Sequence, residues 1–241
     1  MKNIFLSMLI TGLVLSLLFC NTAAAQSEPP RYGTGFFFGP NGLAISALHV
    51  VDGCKKIDSY VSLDWRKTNI IASPKDFHGW EKYDFVILKV DYDNTSFISL
   101  SDNSLNLLDS LIVAGFPYAG EIGTGLTVSR GIKNANVFNS EISADFQFDA
   151  AIQPGMSGGP ILDDFGKVDG IINGSLDEIY AIGRFGAIPQ SVNFGTSIDL
   201  VLAFMASNMV AIDWFSKKEI NETRSVDRII RDDVFSIRCI D

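Results

Sequence analysis

Beyond a short polar leader ending in Pro29-Pro30, apolar residues come in short runs rather than at helical spacing. Gly35-Phe36-Phe37-Phe38 stops at the turn-forming Gly39-Pro40-Asn41-Gly42, and Leu43 to Ser46 follows at once. Further runs are Ile57 to Leu63, Phe85 to Val90, Leu111 to Ala114, Phe146 to Phe148 and Val168 to Ile172. Runs of about four to eight residues, rich in β-branched and aromatic types and separated by Gly, Pro, Asn and Asp, predict strands and an all-β sandwich or barrel. Only Ile198 to Asn208, free of Gly and Pro and rich in Leu, Ala and Met, predicts a helix. Leu105 to Asp109 separates two strand groups, so a division near residue 110 gives two β-rich halves, 26–110 and 111–208. The remainder, 209–241, mixes both charge signs and reads as a peripheral, partly helical tail.

Residues 1–25 have the pattern of a secretory signal. Lys2 supplies the positive start, Ile4 to Phe19 the apolar stretch, and Ala23-Ala24-Ala25 the small-residue cleavage site before Gln26. The competing reading is a retained membrane anchor, since the stretch approaches the lower length for a spanning helix. The cleavage pattern and the polar Asn21-Thr22 favour the signal. Export then leads to a secreted or periplasmic location, with no membrane anchor left after cleavage. No other segment is long and apolar enough to span.

Composition narrows the chemistry. Apolar residues make up 47 % and charged residues 20 % of the 241, a globular composition. A net charge of −9 argues against nucleic acid as a partner, which calls for clustered Lys and Arg. Two histidines and no H-E-x-x-H leave a zinc hydrolase short of ligands, and no phosphate-binding glycine motif is present. The expectation is therefore a protein without metal or cofactor.

The most informative stretch is Gln153-Pro154-Gly155-Met156-Ser157-Gly158-Gly159-Pro160. A serine nucleophile needs backbone donors aimed at the oxygen that becomes negative in acyl transfer. Gly155 lets the chain fold so that its own N–H and that of Ser157 point the same way, and Gly158 and Gly159 permit a tight turn. The plain alternative is a glycine-rich hairpin with an incidental serine. His49 ends an apolar run in Ser46-Ala47-Leu48-His49, where a lone histidine is usually a satisfied core or edge residue. Asp84 opens the apolar run Phe85 to Leu88, where a carboxylate is costly unless hydrogen-bonded, although an Asp is also common at a strand start. The order His49, Asp84, Ser157 is that of one serine-hydrolase lineage, and it excludes the α/β-hydrolase order Ser, Asp, His. His78, in a loop, is a weaker base candidate. Asn94-Thr95-Ser96, Asn173-Gly174-Ser175 and Asn221-Glu222-Thr223 match glycosylation acceptors, meaningful only in a eukaryotic secretory pathway.

At these residues the chain resembles the trypsin-fold serine proteases, in particular the HtrA/Deg-like branch of the chymotrypsin clan. The resemblance is carried by Gly33-Thr34-Gly35-Phe36, Leu48-His49-Val50-Val51, Tyr83-Asp84-Phe85-Val86, Ala114-Gly115-Phe116-Pro117, Val128-Ser129-Arg130-Gly131-Ile132, Asp149 to Pro160 and Gly166 to Asn173. It runs from about residue 33 to about residue 200, with the block around Ser157 the most specific. It implies two six-stranded antiparallel β-barrels with the site between them, followed here by a short C-terminal helix and tail. It also implies an endopeptidase acting on polypeptides, with Ser157 as nucleophile, His49 as base and then acid, and Asp84 holding the imidazole. The oxyanion hole falls to the Gly155 and Ser157 amides with Met156 between them. The specificity pocket is based around Ala151, where no carboxylate is at hand; Asp149 is the nearest acid, with a satisfied strand edge as its other reading. Asn193-Phe194-Gly195-Thr196-Ser197 resembles the family strand that pairs with substrate backbone, which makes Phe194, Gly195 and Thr196 substrate-binding.

Departures from the family are visible too. Met156 stands where these proteins usually carry Asn, and Gly195-Thr196-Ser197 where they carry Ala-Ile-Pro. The roughly 40 residues after Leu200 cannot hold the C-terminal PDZ domain of many relatives. A trypsin-fold binding protein without turnover is the competing function, although such proteins usually lose one of the three residue types, and all three are present here. After signal removal Cys54 and Cys239 are the only cysteines, and an even count in an oxidising compartment favours pairing over two separate thiols.

Overall fold

The computed structural model describes residues 29–103, 105–120, 125–138, 142–176, 182–184, 186–187, 191–208 and 224–241. The leader assigned to residues 1–25 and the acceptor at Asn221 lie outside them.

Twelve strands form two closed antiparallel barrels. The first contains β1 (Arg31–Phe37), β2 (Leu43–Ser46), β3 (Lys56–Val61), β4 (Asp64–Ala72) and β5 (Val86–Val90), with a helical turn, α1 (Leu48–Val51), between β2 and β3. The second contains β6 (Ser110–Gly115), β7 (Thr127–Asn136), β8 (Phe146–Phe148), β9 (Pro160–Leu162), β10 (Val168–Ser175) and β11 (Asn193–Ser197). Helices α2 (Ile198–Ser207) and α3 (Val226–Asp233) follow, and the chain ends in β12 (Val234–Ile240).

The near-continuous apolar runs have a physical cause: these strands are buried on both faces. Along β1, β2 and β5, alternate residues Phe37, Ala44, Val86, Leu88 and Val90 fill the interior of the first barrel. Their neighbours Phe36, Leu43, Ile45, Phe85 and Ile87 face outward into a second cluster. That cluster takes Ile112, Ala114, Leu162 and Ile171 from the outer face of the second barrel and Ile198, Val201, Phe204 and Met205 from α2. Leu111, Val113, Phe146, Phe148, Ile161 and Ile172 fill the second interior. The period-2 alternation of a strand is intact, but both faces are apolar, so it does not show in the sequence.

Phe204 of α2 ties this interface to the loop before β5. Its ring meets Phe77, Trp80 and Phe85 edge-on, with centroids 5.2, 5.4 and 5.2 Å away. That is the geometry in which aromatic quadrupoles attract. The loop held in this way carries Asp84.

The expectation of a peripheral tail over 209–241 is corrected in its last part. β12 lies between β1 and β3 and closes the first barrel, pairing Arg31 with Cys239 and Phe36 with Val234 on one side and Ser236 with Tyr60 on the other. Phe235 and Ile237 enter the barrel interior. The alternation Phe235, Ile237, Cys239 against Ser236, Arg238 was present in the sequence but hidden by the charged residues before it. The first barrel is therefore discontinuous in sequence, whereas the second runs without a break from Ser110 to Ser197. α3 is fastened ahead of β12 by Asp233, fully buried, which forms an ion pair with Arg224 Nη2 at 2.6 Å and accepts from Ser96 Oγ at 2.7 Å.

Cys239 on β12 and Cys54 just after α1 are brought to sulfur–sulfur bonding distance, their Cα atoms 5.5 Å apart, inside the span a disulfide bridges. The bond would close a loop of 185 residues, for which the chain-entropy account gives about 5 kcal/mol as an upper figure. Intact-mass analysis of exported protein should show no alkylation without reductant and two alkylated thiols after reduction. A second expectation concerns Phe204: replacing it with alanine removes a fully buried ring and should lower unfolding free energy by about 3–5 kcal/mol in chemical denaturation.

Candidate active site

The candidate residues converge where the two barrels meet. β2 delivers α1, and α1 delivers His49, whose side chain is half exposed. Asp84, mostly buried, accepts from His49 twice: Nδ1 to Oδ2 at 2.6 Å and the backbone N–H to Oδ1 at 2.8 Å. An ionised carboxylate only accepts, so Nδ1 carries the proton and Nε2 is left as the basic nitrogen. Burial by itself raises the Asp84 carboxyl. The side-chain bond, charge and backbone N–H of His49, with Asn173, outweigh it and hold the group below the usual carboxylate range.

In the sequence, Asn173 stands out as a glycosylation acceptor and not as part of the site. From β10 of the second barrel its Nδ2 donates to the Asp84 carbonyl at 3.0 Å and to Oδ2 at 3.2 Å. Its Oδ1 accepts from Thr196 Oγ1 at 2.9 Å. The amide is thus fully committed to orienting Asp84. The only advance signal was its place in the Gly166 to Asn173 block. Asn94 is likewise committed: it is buried, donates to the Gly39 and Ser96 carbonyls and accepts from Gly42 N–H.

Ser157 sits on the loop between β8 and β9, tied to the first barrel by its carbonyl, which accepts from Thr34 N–H at 2.8 Å. Gly158 has φ +85° and faces Ser46 Oγ, the Thr34 carbonyl and Ala47 N so closely that a Cβ would lie 2.3–2.7 Å from them. Only glycine fits there, and this close approach sets Ser157 beside the base of the His49 turn. On the other side, a Cβ on Gly174 would be 4.0 Å from Ser157 Oγ, so β10 passes alongside the serine. No hydrogen bond joins Ser157 Oγ to His49 among the described residues.

The amides of Gly155 and Ser157 donate to no protein acceptor among the described residues, while Met156 N–H is used by the Gln153 carbonyl at 3.1 Å. This corrects the expectation that placed Met156 with the oxyanion donors. Its amide is spent, and its side chain is buried in the second barrel.

A second correction concerns substrate pairing. β11 is covered on both edges, by β10 and by β8, which pairs Phe148, Gln147 and Phe146 with Asn193, Phe194 and Gly195. It has no edge to offer a peptide. β10 beyond Ile172 has β11 on one side and, among the described residues, nothing on the other, since β9 ends its pairing at Pro160 opposite Ile171. The open edge next to Ser157 is therefore Asn173–Ser175. Thr196 supports Asn173 instead, and Gly195 leaves room for the Phe146 ring. Ala151 is exposed beside the loop. Asp149 turns away, its Oδ1 accepting from Ile132 N–H at 2.7 Å. His78 is fully exposed, 3.4 Å from Glu81, and takes no part in the cluster.

Comparison with known proteins accords with this geometry. The trypsin-like peptidase domain family matches residues 33–171. The chain belongs to that family. It is 31 % identical over 177 residues to the uncharacterized protein y4bJ of Sinorhizobium fredii, covering 73 % of this chain and 27 % of that one. It is 34 % identical over 152 residues to a probable periplasmic serine endoprotease DegP-like of Chlamydia pneumoniae (61 % of this chain, 29 % of that one). A protein of the same description from Hahella chejuensis is 32 % identical over 182 residues (74 % and 35 %). The chain thus spans about a third or less of these relatives. Among solved structures, the serine endoprotease from Yersinia pestis superposes with a TM-score of 0.58 at 21 % identity, covering 80 % of this chain and 61 % of that one. The HtrA-type protease AlgW with decapeptide gives 0.58 at 23 % (74 % and 52 %). These likenesses show the fold of the trypsin-like family.

The lowered Asp84 carboxyl has a pH consequence. Its stabilising contribution is complete above the ordinary carboxylate value and is lost as pH falls through the lower folded value. Denaturation midpoints of wild type and Asp84→Asn, measured from neutral pH into the acid range, should therefore converge toward low pH.

Proposed function

We propose that the protein is an exported serine endopeptidase that cleaves peptide bonds through an acyl-enzyme. The observation that carries this reading is the bonded series Thr196–Asn173–Asp84–His49, which crosses the barrel junction and ends on a free imidazole nitrogen beside the Ser157 loop. Ser157 Oγ attacks the scissile carbonyl while His49 Nε2 takes its proton. Asp84 keeps the imidazole in the Nδ1–H form and stabilises the imidazolium. The freed Gly155 and Ser157 amides receive the developing oxyanion, a contribution of about 3–4 kcal/mol per donor to the transition state. His49 then protonates the leaving amine, and water repeats the sequence on the ester. The substrate lies as an added strand on the Asn173–Ser175 edge. With Ala151 at the pocket and Asp149 turned toward β7, the residue before the scissile bond is small to medium and apolar.

Export is supported by the leader pattern of residues 1–25, by the periplasmic description of the DegP-like relatives and by the facing cysteines. The second reading, a binding protein without turnover, draws on the missing Ser157–His49 bond. Catalytic hydrogen bonds often tighten only when substrate arrives, so this gap does not decide against the enzyme.

Fluorophosphonate labelling separates the two readings. Wild type should be labelled at Ser157, and Ser157→Ala and His49→Ala should each lose labelling and peptide hydrolysis, with Asp84→Asn retaining a small residue of activity. Well-folded protein without Ser157-dependent labelling would establish the binding reading instead.

A further inference from the structure

Thr34 makes more polar contacts across the barrel junction than its place in a strand requires. It is fully buried on β1. Its N–H donates to the Ser157 carbonyl at 2.8 Å, and its carbonyl accepts from Ser46 Oγ at 2.7 Å. Its hydroxyl donates to the Gly155 carbonyl at 2.8 Å and accepts from Phe116 N–H at 2.9 Å. An N–H only donates, so the bond from Phe116 leaves the hydroxyl proton free to point at Gly155.

The carbonyl and N–H of a trans peptide point in opposite directions, so fixing one fixes the other. Three successive planes build the oxyanion loop. The Pro154 carbonyl accepts from Tyr118 N–H at 2.8 Å, which turns Gly155 N–H the other way. The Met156 carbonyl accepts from Gly159 N–H at 3.0 Å, which does the same for Ser157 N–H. These two outer planes are held by backbone groups of the second barrel. The middle plane is held at its N–H by Gln153, which moves with the same loop, and among the described residues its one anchor outside that loop is Thr34 at its carbonyl. Gly155 at φ +96° lies where glycine moves at little cost, so this plane is the one that can turn. Its turning misaligns the amides on both sides.

We propose that Thr34 is a positioning residue for the oxyanion-binding amides: its hydroxyl, delivered from the first barrel, locks the Gly155–Met156 peptide in the orientation that aims the Gly155 and Ser157 N–H groups together. This deepens the serine-peptidase reading and rests on it for its catalytic consequence, whereas the peptide orientation itself does not depend on that reading.

The test compares wild type, Thr34→Val, Thr34→Ser and Thr34→Cys by saturation kinetics of fluorophosphonate labelling at Ser157 and by crystal structures. Thr34→Val keeps shape and loses the hydroxyl. Its maximal labelling rate should fall roughly 10- to 100-fold with half-saturation unchanged, as misplacement of catalytic groups by about an ångström does. Its Gly155 carbonyl should leave the position seen here. Thr34→Ser should restore rate and carbonyl. If Thr34→Val does not fold, Thr34→Cys, which keeps volume with a much weaker donor, should show the same loss. Wild-type labelling in Thr34→Val, or a Gly155 carbonyl that stays in place there, overturns the proposal, as does a Thr34→Ser as impaired as Thr34→Val. If wild type itself shows no Ser157-dependent labelling, the peptidase reading fails. The carbonyl positions in the Val and Ser variants then still decide whether Thr34 holds the loop.

Discussion

The hydrogen bond from Thr34 N–H to the Ser157 carbonyl, 2.8 Å long, is one of a few polar links, with Thr34 Oγ1 to Gly155 and Asn173 to Asp84, between two barrels whose shared face is largely apolar. The rest of the site depends on that registration, because neither barrel contains a complete set of groups. His49 and Asp84 belong to the first, and Ser157, Asn173 and the free amides to the second. A hydrogen bond tolerates only a few tenths of an ångström of slack, so the apolar faces between the barrels must be packed to match. The doubly buried strands do this. Phe36, Ile45 and Ile87 press against Ile112, Leu162 and Ile171, and close-packed interiors resist sliding.

A second dependence runs through the end of the chain. The first barrel is closed by β12, so the platform that carries His49 is complete only when the last residues have been placed. Arg31 reinforces the connection. Its guanidinium donates to the His49 carbonyl at 3.1 Å and to the Asp52 carbonyl at 2.7 Å, and lies 3.5 Å from the Asp241 carboxylate. With the facing Cys54 and Cys239, the turn bearing the imidazole is fastened to the C-terminal strand.

The buried acid shows how such a site balances its costs. Asp84 stands against Phe85 and Val86, both fully buried, where an unpaired carboxylate would be strongly disfavoured. His49 supplies two donors and Asn173 a third, and together they hold the carboxyl below its usual range although burial alone would raise it. The same partners fix the imidazole tautomer, so the bonds that make the carboxylate tolerable also prepare the base. The replacement of the usual Asn by Met156 fits this economy: its amide turns inward to Gln153 and its side chain fills the barrel, leaving the neighbouring amides free.

The sequence by itself marked β1, β2, β3, β5, β6, β8 and β10, the helix at Ile198 and the candidates His49, Asp84 and Ser157, because each leaves a local trace. Apolar runs between turn residues mark strands, and Gly155, Gly158 and Gly159 around a serine mark a backbone that must turn tightly. Tertiary structure alone decided which strands are neighbours. Pairing partners can be distant in sequence, as β12 is from β1 and β3, and a strand's own residues do not state which of its edges is covered. For that reason the uncovered strand edge near Ser157 lies at Asn173–Ser175 and not at Phe194, Gly195 and Thr196, and the end of the tail is a barrel strand. Met156 left the oxyanion set, and Asn173 and Thr34 entered the site, for a related reason. Which way an amide or hydroxyl points is set by the acceptor or donor waiting opposite, and for these two residues that partner belongs to the other barrel.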